Sequence, residues 1–454
     1  MRCFMAFNPR EVSDFAHFYG FHYDNLDPVS LMHDVLLHIE RGLEGRASSL
    51  PMIPSYISPV SHVPPGKTVL ALDAGGTNLR ASLVRFDEQG KAAAQETRKV
   101  PMPGTQGHLS AERFFDEIAA VTAPLLDKAG SAVEGIGFTF SYPMTITEDA
   151  DGIPLTFSKE LDIPEVTGKP VGRGLRDALA RRGVKFSGPI VLLNDTVATL
   201  LSGVVEIPSD GEEEKTPDTY GIPGGPVIGL ILGTGFNTAY PERSIPKIGF
   251  ESPNPQIVVC ETGTFGINCQ GILDREYDAT TKNPGVYTLE KATSGAYIGP
   301  LTLHILKQAV KDGVLRFKRS GELLAMPALQ TRDLNYFRHH PLAAEGPLGG
   351  IIGPDEADAL AAILYIAQIV TERGAMLSAA VVGACVERVR TGYEGYSPVR
   401  VAVEGTTYMI YKGMRQALES WLHIMLFNGK PRSYVIAPVE QASLFGAAVA
   451  ALSR

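Results

Sequence analysis

Two short turns carry the residue types best suited to chemistry. "LDAGGTNLR" gathers Asp73, Gly75, Gly76, Thr77, Asn78 and Arg80 between the apolar runs "KTVLA" and "ASLVRF". "GLILGTGFNTAY" sets Gly233, Thr234, Gly235 and Asn237 between two further apolar runs, about 160 residues on. Glycine has no Cβ, so a ligand can approach the backbone and its N–H groups can point at phosphate oxygens. Threonine hydroxyls add donors and Arg80 adds a cation. Neither turn ends in GKS or GKT and neither contains GxGxxG, which excludes a P-loop and a dinucleotide-binding fingerprint. Alone, each turn reads as a bend that needs flexible residues. Two of them, each between apolar strands, read as the halves of a phosphate clamp.

A third stretch, "VLLNDTVATLL", places Asn194, Asp195 and Thr196 at the end of an apolar run. Asp195 or Thr196 could simply begin a helix there. A carboxylate at that point could also take a proton from a substrate hydroxyl and hold its oxygen in line with a phosphoryl group. The two roles are compatible.

These residues need a scaffold that brings distant strand ends together. At 454 residues the chain is long enough for two domains. Its 44% hydrophobic and 20% charged content suits a large buried core. A net charge of −9 with well-mixed signs argues against a nucleic-acid surface. The runs "TVLALD", "ASLVRF", "GIGFTF" and "PIVLLN" have strand length. Ser110 caps an expected helix that carries Phe114, Phe115, Ile118 and Leu125 and stops at Gly130, and a second helix runs through "GRGLRDALARRG". Before them, residues 1–50 read as helical, with Asp27 as cap, Pro28 at the first helical position, and Leu31, Val35, Ile39 and Leu43 on one face. The five prolines of Pro51 to Gly66 predict an extended connector. From Leu301 onward the pattern is mainly helical, closing with "VRVAVEG", "SYVIAP" and the helix "ASLFGAAVAALS". Strand–glycine turn–strand thus occurs twice, which predicts two similar halves across a cleft.

Other features exclude functions. Cys3, Cys260, Cys269 and Cys385 form no CxxC pair, so reduced thiols in a cytoplasm are expected rather than zinc or disulfides. The ten histidines are scattered and the His339–His340 pair lacks ligands at metal spacing. The N-terminus has no sustained apolar segment of a signal peptide. The apolar stretch Ala359 to Val370 is 12 residues and reads as a buried helix rather than a membrane span. The acidic, Pro- and Gly-rich stretch 207–225 reads as a solvated loop without assigned function.

Taken in order, "LDAGGTNLR", "GFTFSYP", "FSKELDIPEVTGKPVGRGLRDAL", "LLNDTVATLL", "GLILGTGFNTAY", "NPGVYTLEKATSGAYIG" and "VAVEGTTY" resemble the hexokinases, ATP-dependent sugar kinases of the actin-like ATPase superfamily. The likeness spans roughly residues 45–452. It implies an α/β fold of two actin-like ATPase (ribonuclease H-like) domains, small and large, around a deep cleft. Residues 63–197 with the helix 441–454 would form the small domain and 198–440 the large one. Residues 1–62 would be a helical segment and connector packed on the large domain.

The resemblance implies a hexose held by Ser141, Ser158, Lys159, Asn194, Asp195, Asn237, Glu261 and Glu290, with Asp195 as general base for the 6-hydroxyl. It makes Asp73 the acid that orients Mg²⁺ through water. Gly75, Gly76, Thr77, Asn78, Arg80, Gly233, Thr234 and Gly235 would hold the phosphates of ATP, with Gly405, Thr406 and Ser443 on the nucleoside side. Partners would be a hexose and ATP, with no nucleic acid or membrane and either a monomer or a homodimer. The chain departs from the pattern at Ser158, commonly threonine, and at Thr262, commonly tryptophan. In "ASLFGAA", Leu444 and Phe445 replace a glycine and a lysine, which puts the phosphoryl donor in question. A non-catalytic sugar sensor on the same fold, another hexose and another donor stay open as alternatives. Domain closure on the sugar is expected, because an assembled open site would hydrolyse ATP.

Overall fold

The structure, a computed structural model, describes residues 7–60, 63–157, 161–205, 225–268, 270–353, 355–390, 398–427 and 432–453. The loop assigned to 207–225 lies outside them up to residue 224, as do Ser158, Lys159, Cys3 and Cys269.

Two mixed sheets organise the chain. The first runs Ala92–Pro101, Asn78–Phe86, Thr68–Ala74, Val133–Phe140, Ile190–Leu193. Its first two pairings are antiparallel and its last two parallel. The second sheet repeats this order and polarity with Phe250–Val259, Phe236–Ile245, Val227–Leu232, Val399–Glu404 and Tyr434–Pro438. The connector adds Ile53–Pro54 at the edge of this second sheet, antiparallel to Phe250–Val259. The two matching sheets are the repeat that the glycine turns foreshadow, and each turn joins the central strand of its sheet to the antiparallel neighbour.

Alternation along the strands decides what faces the space between the sheets. In Thr68–Ala74, Leu70, Leu72 and Ala74 pack outward with Phe114, Ile118 and Leu175. Val69 and Ala71 point the other way, into a cluster shared by both sheets. Asp73 continues that second row. In Val399–Glu404, Val399, Val401 and Val403 face the core of the second sheet, so Glu404 stands on the opposite face. Asn237 shares a face with Ala239, and Glu261 follows Ile257 and Val259, all three of these neighbours belonging to the shared cluster.

Two helices cross in that shared space. Asp195–Ser202 packs against the second sheet, where a Cβ on Gly229 would meet the Thr196 carbonyl. Ala442–Ala450 lies against the first sheet, with Ala447 over Gly137. The helices meet where Gly446 touches the backbone of Ala198, and a methyl group on Gly446 would overlap the Ala198 carbonyl oxygen. Leu444 and Phe445 are buried in the same cluster. These two departures from the family pattern, Leu444 and Phe445, therefore fill the interior between the sheets.

The expected helices form for the expected reasons. Asp27 Oδ1 accepts from the Ser30 N–H at 2.7 Å and starts Pro28–Leu43, which buries Leu31, Val35, Ile39 and Leu43. Ser110 caps Ala111–Ala129, and Gly130 ends it. The helix through "GRGLRDALARRG" spans Val171–Arg181. The apolar stretch around Ala359–Val370 belongs to a helix of 34 residues, Ala357–Arg390. By length and composition Ala357–Val389 could cross a membrane, but its most apolar window is 94% buried inside the protein, as a core helix is.

Candidate functional site

A cavity of about 410 Å³ opens between the two sheets. Ser141, Asn194, Asp195, Asn237, Glu261 and Glu290 all line it. They come from five separate parts of the chain, and strand ends place most of them. Ser141 follows Val133–Phe140, and Asn194 follows Ile190–Leu193. Asn237 opens Phe236–Ile245 just after the second glycine turn. Glu261 sits two residues past the end of Phe250–Val259, in left-handed backbone at φ 55°.

The helix cap falls one residue earlier than sequence capping preference suggests. Asn194 is the cap, its Oδ1 accepting from the Thr196 N–H at 2.8 Å, and Asp195 is the first helical residue. Asp195 is thereby free of the capping duty. Thr196 Oγ1 donates to its Oδ1 at 3.3 Å. The residue is partly buried, and desolvation of its carboxyl raises its pKa, with the charge of Asp73 adding to the rise.

Hydrogen bonds lock the neighbouring groups. Asn237 Nδ2 donates to Glu261 Oε1 at 3.2 Å, while its Oδ1 accepts from the N–H groups of Thr238 and Thr262. Its amide orientation is thus fixed. Glu290 Oε2 accepts from the Phe236 N–H at 3.1 Å. Burial, then the charges of Asp195 and Glu290, push Glu261 up to about 7. Burial also raises Glu290.

On the first sheet, Asp73 and Arg80 are direct partners across the antiparallel pairing of their strands. Arg80 Nε donates to Asp73 Oδ2 at 3.0 Å, and its Nη2 meets the same oxygen. Arg80 thus holds Asp73 as well as standing beside the turn. Asn78 Nδ2 donates to Thr77 Oγ1 at 2.8 Å, and Tyr142 Oη donates to the Gly75 carbonyl at 3.0 Å. Nothing crowds Gly76.

The second turn packs on the "VEGT" turn. Gly405 has φ 130°, and a Cβ there would overlap the Leu232 carbonyl, so the approach needs glycine. Thr407 Oγ1 donates to the Gly233 carbonyl at 2.7 Å. Thr234 and Thr406 line a second cavity of about 520 Å³, together with Gly295, Asn335 and His339. Gly235 lines the first. Ser443 lies apart from both, its carbonyl accepting from Thr139 Oγ1 at 2.8 Å.

One residue that sequence reasoning missed is Glu404. It ends its strand on the cleft face, directly before Gly405. Burial raises its pKa to about 7, with the charges of Asp195 and Asp73 adding to the rise. The available signal was its placement, an acid at a strand end just ahead of a glycine turn, as Asp73 is. Three carboxylates therefore converge between the two glycine turns. Mutually repelling carboxylates in a partly dry cleft favour a bound cation or a shared proton. His17, His22 and Asp24 also approach one another, but His22 Nδ1 accepts from the Asp24 N–H and its Nε2 meets Ser13 Oγ at 3.3 Å. Those contacts account for the ring.

Comparison with known proteins gives one family. Two models, both described as hexokinase, match residues 17–205 and 227–453. Hexokinase-3 of Homo sapiens is 30% identical over 410 residues, 86% of this chain and 42% of that protein. The chain thus spans less than half of that relative, whereas hexokinase-7 of Oryza sativa subsp. japonica, 28% identical, is covered over 90% of both chains. The solved hexokinase from Schistosoma mansoni complexed with glucose superimposes with TM-score 0.75 at 24% identity, covering 99% of this chain and 100% of that one. A second hexokinase crystal structure gives 0.76 at 24% identity.

Proposed function

The chain belongs to the hexokinase family, and from that premise we propose that it transfers the γ-phosphoryl group of ATP to the 6-hydroxyl of a hexose, glucose first among them. One observation carries the reading. Asp195 is a partly buried carboxylate that lines the cavity with Asn194, Asn237 and Glu261 and feels the charges of Asp73 and Glu404. That is the position of a base shared by a sugar pocket and a phosphate clamp.

The hexose hydroxyls each need a directed donor or acceptor. Asn194, Asn237, Glu261 and Glu290 supply amides and carboxylates, with Ser141 adding a hydroxyl. Ser158 and Lys159 complete the set by family resemblance alone. Asp195 takes the 6-hydroxyl proton and keeps the oxygen aimed at phosphorus, in a loose transition state where aim counts for most. A raised pKa makes it a better proton acceptor than a free carboxylate. The three converging carboxylates fit Mg²⁺: Asp73 would hold it through water, and Glu404 would add negative charge nearby. Bound with ATP, Mg²⁺ neutralises phosphate charge. Thr234 and Thr406 face the nucleoside cavity. Closure of the first-sheet lobe, residues 63–197 with the last helix, onto the second would exclude water. Reduced, buried Cys260 and Cys385 suit a cytoplasmic enzyme.

Formation of hexose 6-phosphate from glucose and Mg²⁺–ATP, followed in a coupled assay, tests the proposal. Glucose binding without turnover would instead support the sensor. Small-angle scattering should show compaction at saturating glucose, and an unchanged profile in an active preparation would remove the closure step.

The Glu261 shift predicts pH dependence. Its pKa lies near 7, above the ordinary carboxylate value, so the group is mainly protonated at pH 6 and mainly ionised at pH 8. Only the ionised form accepts at every oxygen lone pair. Glucose affinity should therefore rise about tenfold from pH 6 to pH 8, one decade for one pKa unit of protonation. Calorimetric titration of the Glu261→Gln variant should give a weaker and nearly flat profile. The same raised pKa stabilises the empty protein below about pH 4.5, and that contribution is lost as pH climbs through about 7.

A further inference from the structure

The mechanism uses Glu290 and leaves the buried charge beside it unexplained. Lys291 is 5% exposed, and its ammonium pairs with Asp278, itself 8% exposed, near the end of the helix Ile272–Ala279. The same Nζ donates to the Asn283 carbonyl at 2.6 Å, and Asp278 Oδ2 accepts from the Gly285 N–H at 2.6 Å. Two buried charges thus fasten residues 280–287 to the helix Thr288–Thr293, which carries Glu290 and Lys291. A buried ion pair is a poor device for stability alone, since well-packed apolar side chains can hold a fold as well. What this pair supplies is a fixed position.

That short helix reaches both cavities. At its start, Glu290 lines the cavity of about 410 Å³. Its carboxylate is wedged there: a Cβ on Gly235 would stand 3.0 Å from Oε2, and one on Gly263 would stand 3.1 Å away. Gly235 ends the second glycine turn, and Gly263 belongs to the loop just after Glu261. Past the helix end, the N–H groups of Gly295 and Ala296 donate to the carbonyls of Gly233 and Thr234 at 2.7 and 3.1 Å. Gly295, Ala296 and Thr234 line the cavity of about 520 Å³. Glu290 Oε2 grips the far side of the same turn through the Phe236 N–H. The helix is therefore a bar clamped to the turn at both ends, and the Asp278–Lys291 pair anchors it to the rest of the fold.

We propose that Lys291 and Asp278 are positioning residues that couple the two substrate cavities. They hold the helix so that a hexose engaging Glu290 sets the Gly233–Gly235 turn for the phosphates of the nucleotide. The inference rests on the reading of Glu290 as a sugar contact and of the turn as half of the phosphate clamp. Ordering one helix serves both ligands, so whichever binds first lowers the cost of ordering for the second. The coupling is reciprocal: the nucleotide tightens glucose by the same factor as glucose tightens the nucleotide.

The test is calorimetric binding of Mg²⁺ with β,γ-imido-ATP, which does not transfer its terminal phosphoryl group, with and without saturating glucose. In the parent, glucose should tighten nucleotide binding about tenfold. Amide exchange at Gly295 and Ala296 should slow at least tenfold on glucose alone. Lys291→Met and Asp278→Asn should cut the coupling to under threefold and raise KM for glucose at least tenfold. Nucleotide affinity without glucose should stay within threefold of the parent. Lys291→Arg keeps the charge and its donors and should retain at least fivefold coupling. A purely structural pair would lower the melting midpoint and leave the coupling intact in the folded protein, which overturns the proposal. So does independent binding of the two ligands in the parent, or unchanged exchange at Gly295 and Ala296, a measurement that needs no variant to fold. Turnover with independent binding leaves the kinase reading standing. Coupled binding without turnover removes that reading and keeps the positioning role.

Discussion

Replacing Asp195 with alanine should lower kcat for hexose phosphorylation by about a thousandfold, within the range that a positioned proton acceptor supplies. Glucose affinity should change less, because Asn194, Asn237, Glu261 and Glu290 remain in the cavity. The fold should hold. Asn194, not Asp195, caps the helix Asp195–Ser202, so the substitution removes no cap. It also removes a charge that raises both Glu261 and Glu404. The pKa of each should move down towards ordinary carboxylate values, which carboxyl ¹³C titration can follow. A merely structural Asp195 would give lost stability without the large fall in kcat. Full activity in Asp195→Ala would sink the mechanism.

Gly446→Val should be the most damaging substitution for folding. The added side chain would drive into the backbone of Ala198, and backbone at a helix crossing cannot step aside. Overpacking typically costs about 1–3 kcal/mol, and more where no flexible group can move. Thermal melting should show a large fall in midpoint, or no soluble protein. Gly137 is under the same constraint from the other side of the helix, against the Ala447 carbonyl. Milder Gly446→Ala should leave enough folded enzyme to measure, with reduced stability and a weakened scattering change on glucose. A midpoint identical to the parent would mean that the crossing is not tight.

Much of this was legible because local rules and the fold agree. Asp27 and Ser110 begin helices because a short polar side chain before an apolar periodicity has one good use. Ser141, Asn194, Asp195, Asn237, Glu261 and Glu290 were recognised from ordered motifs, and the structure brings them into one cavity. The strand Ala92–Pro101 was not legible. Its sequence "AAAQETRKVP" is polar because it forms a sheet edge facing water over most of its length. The Asp73–Arg80 pair was hidden because it depends on the register of two antiparallel strands. Glu404 was hidden because its meaning comes from Asp195 and Asp73, distant in sequence. That Leu444 and Phe445 are buried between the sheets was hidden as well, since it depends on which side of their helix is covered.

The two ends of the chain each complete the other end's sheet. Helices Pro9–Tyr19 and Pro28–Leu43 join the core of the second sheet, with Ile228 and Leu230. The helix Ala442–Ala450 covers the inner face of the first, over Val69 and Ala71. Synthesis makes the first sheet well before this helix, so Val69, Ala71, Val191 and Leu193 would have no permanent lid until the helix emerged. Cleavage between the sheets should likewise release no piece able to fold alone.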